Sequence, residues 1–201
     1  MSKKTVHYFD QEGVQNTETT LQAVKERVVQ LGIEQLVVAT TTGQTALTCA
    51  EEIPGLKTVV GVLMHAVDYD VYVQRPEGKL KAPHPDILEK ARNKGVKFYQ
   101  GVHSLLGGVD SAIRDKFGGL NPAGIIAHTY MTFSTGTKVA VESTMMAADG
   151  GLLDMSKDVI AMGGYRGGAD TALVIKPAFT HQFFSLRVKE VICLPCRPQE
   201  K

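Results

Sequence analysis

Short apolar runs alternate along this sequence with segments whose apolar residues recur every three or four positions, and that alternation limits the fold more than any other feature. Leu36-Val37-Val38-Ala39 and Thr58-Val59-Val60-Gly61-Val62-Leu63 carry no charge. Runs of this kind suit strands buried on both faces. Between them, Gln44-Thr45-Ala46-Leu47-Thr48-Cys49-Ala50-Glu51-Glu52 reads as a helix that Pro54-Gly55 closes. Ahead of the first run, Leu21, Val24, Val28 and Leu31 share one helical face, with Asn16 placed to cap the helix and Gly32 to end it. Asp86 to Asn93 reads as a helix stopped by Gly95, followed by a third strand at Val96-Lys97-Phe98-Tyr99. Further helices are expected over Ala123 to Phe133 and Thr137 to Ala148, the latter with Val141, Met145 and Ala148 at i, i+4 and i+7. Asp158 to Met162 and Thr171 to Ile175 read as a fourth and a fifth strand, and Val188 to Cys193 adds one more. The pattern implies an α/β fold with a mostly parallel sheet covered on both faces.

At 201 residues the chain suits one domain on a prior of about 100 to 200 residues each, and no linker or repeat divides it. A single domain over 1–201 is expected. Lys plus Arg number 22 against 21 for Asp plus Glu, and the first hundred residues hold 12 of each sign, so no basic region is set aside for nucleic acid or a membrane surface. The start, Met1-Ser2-Lys3-Lys4, leads into polar sequence and not into an apolar leader. A cytoplasmic protein with reduced thiols is the expectation, since three cysteines make no disulfide framework.

Two loops stand out chemically. Thr40-Thr41-Thr42-Gly43-Gln44-Thr45 joins the first buried strand to a helix. A helix beginning there aims unpaired N–H groups and its positive dipole end into the loop, and the hydroxyls add donors, which together make a phosphate cradle. The alternative is a threonine that only caps the helix. No Lys follows the glycine as in a Walker loop, and there is no G-x-G-x-x-G. The second loop, Gly163-Gly164-Tyr165-Arg166-Gly167-Gly168-Ala169-Asp170 with Thr171, is glycine-dense enough for a flat ligand to lie on bare backbone while Arg166 and Asp170 orient its polar edge. A plain connection between strands is the competing reading.

Weaker signals complete the reading. Ser134-Thr135-Gly136-Thr137 repeats the hydroxyl-and-glycine pattern before a helix, where capping by Ser134 or Thr135 also accounts for it. His65 lies just past a strand end, where ligands of open α/β sheets collect. The other histidines are scattered, so no metal site is expected. Lys138 and Glu142 read as a solvated i, i+4 ion pair. Cys193-Leu194-Pro195-Cys196 has dithiol spacing, but Pro198 and the end of the sequence follow where a redox motif needs a helix. No Gly-x-Ser-x-Gly is present, and no residue stands out as a general base, so a catalytic assignment stays open.

Taken jointly, several segments resemble a known family: Leu36 to Glu52, Lys116-Phe117-Gly118-Gly119 with Asn121-Pro122, Gly136 to Glu142 with Met146 to Gly151, and Gly168 to Ala172. The chain resembles stand-alone archaeal and bacterial proteins similar to the C-terminal α/β domain of pyruvate kinase, from Phe9 to about Pro177. The resemblance implies a three-layer α/β/α fold with strand order 3-2-1-4-5 and the last strand antiparallel. The first and fourth strands then adjoin, and ligands belong in the crevice outside their C-terminal ends, where both singled-out loops emerge. It also implies flavin mononucleotide as the cofactor, or another small phosphorylated ligand for a regulatory module. Thr40 to Thr45 would hold the phosphate, and Gly163, Gly164, Gly167, Gly168, Asp170 and Thr171 the ring or ribityl chain, with His65 and Ser134 to Thr137 in support. Pyruvate kinase activity is not expected, because that chemistry belongs to a (β/α)₈ barrel of roughly 250 residues.

Overall fold

The computed structural model describes residues 4–63, 83–165 and 167–197. His65 and Arg166 lie outside the described residues. Seven strands form one sheet: β1 (His7–Phe9), β2 (Gln35–Ala39), β3 (Thr58–Leu63), β4 (Lys97–Gln100), β5 (Val159–Gly163), β6 (Thr171–Lys176) and β7 (Arg187–Pro195). The order is β1-β7-β6-β5-β2-β3-β4. Its part β4-β3-β2-β5-β6 is the expected 3-2-1-4-5 arrangement, with β6 antiparallel to β5. Two strands extend it: β7 pairs antiparallel with β6, and β1 pairs parallel with β7. β1 was not foreseen, being three residues long and largely exposed.

Helices cover both faces, α1 (Thr17–Leu31), α2 (Gln44–Glu52) and α3 (Pro85–Asn93) on one side, α5 (Pro122–Met131) and α6 (Thr135–Asp149) on the other. The apolar runs divide between them by the two-residue period of a strand. Leu36 and Val38 of β2 join the α1–α2 cluster, while Val37 joins Val141, Met145 and Met146 of α6. Twelve of the fifteen residues of α6 are buried, because the helix lies between the sheet and α5. A further helix, α4 (Val109–Phe117), falls in a stretch where none was expected. No helix among the described residues is long and apolar enough to cross a membrane.

Gly32 ends α1 with a positive φ of 63°, as its position suggested. Two expectations about that helix are corrected. Asn16 makes no capping bond and instead donates from Nδ2 to the Gln11 carbonyl, and Leu31, in the last turn, is exposed while Leu21, Val24 and Val28 are buried.

Candidate functional site

Val37 and Val38 of β2 lie level with Ala161 and Met162 of β5 in parallel register. Two residues beyond the last pair, Thr40 and Gly164 leave the sheet side by side. The connections from β2 to β3 run over the α1–α2 face, whereas the chain reaches β5 through α6 on the opposite face. Chain direction therefore switches between β2 and β5, and in open α/β sheets ligands bind beyond the C-terminal ends of the strands at such a point.

The threonine loop is built by hydrogen bonding to its own helix. The amide of Thr40 donates to the Val62 carbonyl at 2.9 Å, carrying the β2–β3 ladder one step further. The buried Thr40 hydroxyl accepts from the Gly43 amide at 3.1 Å, and Thr42 Oγ1 accepts from the Gln44 amide at 3.2 Å. Four amides at a helix start lack an intrahelical carbonyl, here those of Gly43, Gln44, Thr45 and Ala46. The threonines take the first two. Those of Thr45 and Ala46 lie in the first turn, where the helix offers them no carbonyl. Gly43 adopts φ 95°, a left-handed conformation, and a Cβ there would lie 2.6 Å from Leu88 Cδ2. The glycine is thus needed for the turn and for the approach of α3, whose start is tied to the loop by the His84 amide on the Thr42 carbonyl.

The glycine-rich loop and the start of α6 meet in one network. Ser134 Oγ accepts from the Thr137 amide at 2.9 Å, which caps α6, and lies 3.0 Å from Thr171 Oγ1. Thr171 donates to Asp170 Oδ1 at 2.9 Å, and Asp170 Oδ2 accepts from the Gly13 amide at 2.9 Å. Burial raises the Asp170 carboxyl above its ordinary pKa, outweighing those donors and the Tyr165 amide; the neighbouring Glu12 charge adds to the rise. Glu12, also buried, accepts from the Thr135 amide at 2.7 Å. The glycines serve close packing: a Cβ at Gly163 would come within 2.3 Å of the Gly136 carbonyl oxygen, one at Gly136 within 2.2 Å of Thr171 Oγ1, and one at Gly164 within 2.7 Å of the Gly168 carbonyl oxygen. Gly168 rests on Val14 and Thr17, while Gly167 turns the loop at φ 108° with open space around it. Bulk at Gly168 therefore meets the start of α1, so a substitution there perturbs packing and cannot report on a ligand alone.

Lys138 and Glu142 correct the expectation of a solvated pair. Both are buried, and Lys138 Nζ bonds to Glu142 Oε2. Glu142 Oε1 accepts from the amides of Leu105 and Leu106 at 2.8 and 3.2 Å, and His103 Nδ1 lies 3.7 Å from Oε2. The cluster fastens the segment after β4 to α6. Lys138 lies three residues ahead of Val141 and seven ahead of Met145, on the sheet-facing stripe. Side chains on a helix lean toward its N-terminus, which here is the crevice end. The signal was present in the sequence, since Lys138 continues the apolar stripe, but an i, i+4 pair has the same spacing whether wet or dry.

Cys193 is buried against Thr20, and burial pushes its thiol up to about 11. Cys196 is exposed. Three residues of extended chain separate their Cα atoms by about 10 Å, beyond the reach of a disulfide. A Cys193→Ser, Cys196→Ser variant is therefore expected to bind ligand as the wild type does, and a folded variant with lost affinity would overturn this. No group of three or more His, Cys, Asp or Glu among the described residues is placed to hold a metal ion.

Comparison of the sequence with models of protein families matches residues 18–175 to the pyruvate kinase alpha/beta domain.

Proposed function

The chain belongs to the family of the pyruvate kinase alpha/beta domain, and from that premise we propose that it binds flavin mononucleotide in the crevice between the C-terminal ends of β2 and β5. The observation that carries this reading is the start of α2. It offers the Thr42 hydroxyl, the amides of Thr45 and Ala46 and the positive end of the helix dipole, while the buried Thr40 hydroxyl shapes the turn, and there is no carboxylate among residues 40–46. That donor set fits a terminal phosphate. Thr41 lies in the same loop, and Gln44 Nε2 is drawn back along the helix to Thr48 Oγ1.

On the other side of the crevice stand the first turn of α6 and the loop from Gly163 to Thr171. In this reading Gly167, with open space around it, leaves backbone accessible to the ribityl chain or ring. Ser134, Thr137, Asp170 and Thr171 are bonded to one another, so they brace the wall and do not themselves reach the ligand. The flavin, when bound, would supply redox chemistry; the protein groups bind and orient it. No general base with a place against a substrate is assigned.

Purified protein is expected to be yellow, with flavin absorption bands, and to release flavin mononucleotide on denaturation. Added mononucleotide should raise the melting temperature more than riboflavin does, because the phosphate contacts are lost with the latter. Colourless protein stabilised by a sugar phosphate and indifferent to the flavin would replace the cofactor with a phosphorylated metabolite. Indifference to both would remove the site from this loop.

A further inference from the structure

Gly163, Gly164, Gly167 and Gly168 make up half of the loop from residue 163 to residue 170, and glycine gives up more conformational freedom on ordering than any other residue. A loop of this composition keeps one shape only if its neighbours hold it. Part of the hold is local, since the Asp170 amide donates to the Gly163 carbonyl at 3.0 Å and closes the loop at its base. The rest comes from a segment remote in sequence, Glu12 to Thr17, between β1 and α1. The Gly13 amide donates to Asp170 Oδ2 at 2.9 Å, and Thr17 Oγ1 accepts from the Ala169 amide at 3.0 Å. Val14 lies against Gly168, where a Cβ would come within 2.9 Å of the Val14 Cα. Gly168, Ala169 and Asp170 are thus each held by this segment, directly beside Gly167.

Glu12 ties the same segment to the opposite wall. Its buried carboxylate accepts from the amide of Thr135, the first residue of α6, at 2.7 Å, a favourable place for a negative charge. Its own amide donates to the Arg197 carbonyl just past β7 at 3.0 Å. Gly13 makes the bend between these attachments at φ 139°, a conformation that favours glycine. The segment therefore spans from the start of α6 to the glycine-rich loop.

We infer that residues 12–17 belong to the ligand site, as a strap that orders the glycine-rich loop before the ligand arrives, with Glu12 as its positioning residue. The inference rests on the flavin reading of the site. The strap touches no ligand group; it acts through Gly168, Ala169 and Asp170 on the backbone of Gly167. Its loss shows in affinity, because the ligand must then bear the cost of ordering the loop. It also acts on the side of the ring and ribityl chain, so flavin mononucleotide and riboflavin should be weakened alike, whereas a group that serves the phosphate affects the mononucleotide alone.

Titration of both flavins, followed by their fluorescence, into wild type, Glu12→Ala, Glu12→Gln and Thr17→Val tests this, with circular dichroism to establish folding. Glu12→Ala is expected to weaken both flavins by about 10-fold, the lower end of what a lost charge-assisted hydrogen bond carries. Glu12→Gln keeps an oxygen for the Thr135 amide and should stay within about threefold of wild type. Thr17→Val preserves shape but removes the acceptor of the Ala169 amide, and should weaken both flavins by about threefold to tenfold. It decides the matter if Glu12→Ala does not fold. Unchanged affinities in the folded variants would reduce the segment to packing and overturn the inference. So would a loss confined to the mononucleotide, or one that Glu12→Gln does not rescue. A wild type that binds neither flavin would remove the flavin reading itself, and the role of the strap with it.

Discussion

Glu142→Ala is expected to lower the stability of the protein by about 3 to 5 kcal/mol, the cost of leaving a buried partner charge uncompensated. Glu142 is the acceptor for three donors at once: Lys138 Nζ and the amides of Leu105 and Leu106. Its removal strands a buried ammonium and two backbone N–H groups. For a chain of this length each kcal/mol shifts the melting temperature by about 2 to 4 °C, so a fall of roughly 6 to 20 °C is the corresponding result. Glu142→Gln keeps an oxygen for the two amides but not the negative charge, and its loss should be intermediate. The double variant Lys138→Met, Glu142→Leu removes both charges and is expected to be more stable than Glu142→Ala, because no charge is then left alone in the interior. Thermal and urea unfolding measure all three. A loss below about 1 kcal/mol for Glu142→Ala would mean that the pair behaves as a surface ion pair, whatever its burial.

The second large effect concerns ligand affinity. Thr42→Ala should weaken flavin mononucleotide by about 10- to 150-fold, the equivalent of a charge-assisted hydrogen bond of about 1.5 to 3 kcal/mol, and leave riboflavin nearly unaffected. Thr42 Oγ1 accepts from the Gln44 amide, so the same change also removes a cap worth about 1 kcal/mol. The two consequences separate on titration of both flavins alongside melts. A lowered melting temperature with unchanged mononucleotide affinity would reduce the loop to a cap. Thr40→Ala is the control, since its buried hydroxyl serves the Gly43 amide and its main effect should be on stability. Gly43→Val is the poorer probe: at φ 95° and 2.6 Å from Leu88, the new side chain strains the loop before any ligand arrives.

What the sequence made legible was the part governed by local period. Leu36 to Val38 and Val59 to Leu63 are buried on both faces of the sheet, each of which a helix layer covers, and a continuous run without charge suits such a position. Illegible features depended on partners distant in sequence. His7 to Phe9 is too short and too polar to read as a strand; it becomes one by pairing with Cys193 to Pro195. Lys138 and Glu142 become an interior pair when residues 103–106 close over them. The density of glycine near Gly163 was legible, but its physical reason includes the carbonyl of Gly136, which no local pattern points to. α4 has the helical period at Val109, Ile113 and Phe117, but only over nine residues between Gly107-Gly108 and Gly118-Gly119, a composition that also suits a loop.

The parallel pairing of β1 with β7 has a further consequence, for the order in which the molecule can assemble. His7 is level with Cys193, the Cys196 amide donates to the Phe9 carbonyl at 2.7 Å, and the Glu12 amide donates to the Arg197 carbonyl at 3.0 Å. One edge of the sheet is thus laced from two segments separated by nearly the whole sequence. During synthesis β2, β3 and β4 can pair with one another once residue 100 has been made, and β2 gains β5 by residue 163, whereas β1 must wait until residue 195 has been added. Closing a loop of that span carries an entropy cost that grows only slowly with length, but it delays the contacts that repay it. The β1 edge is the last piece of the sheet to be fixed, and until then residues 7–9 are the part of this fold that has been translated without yet having anywhere to go.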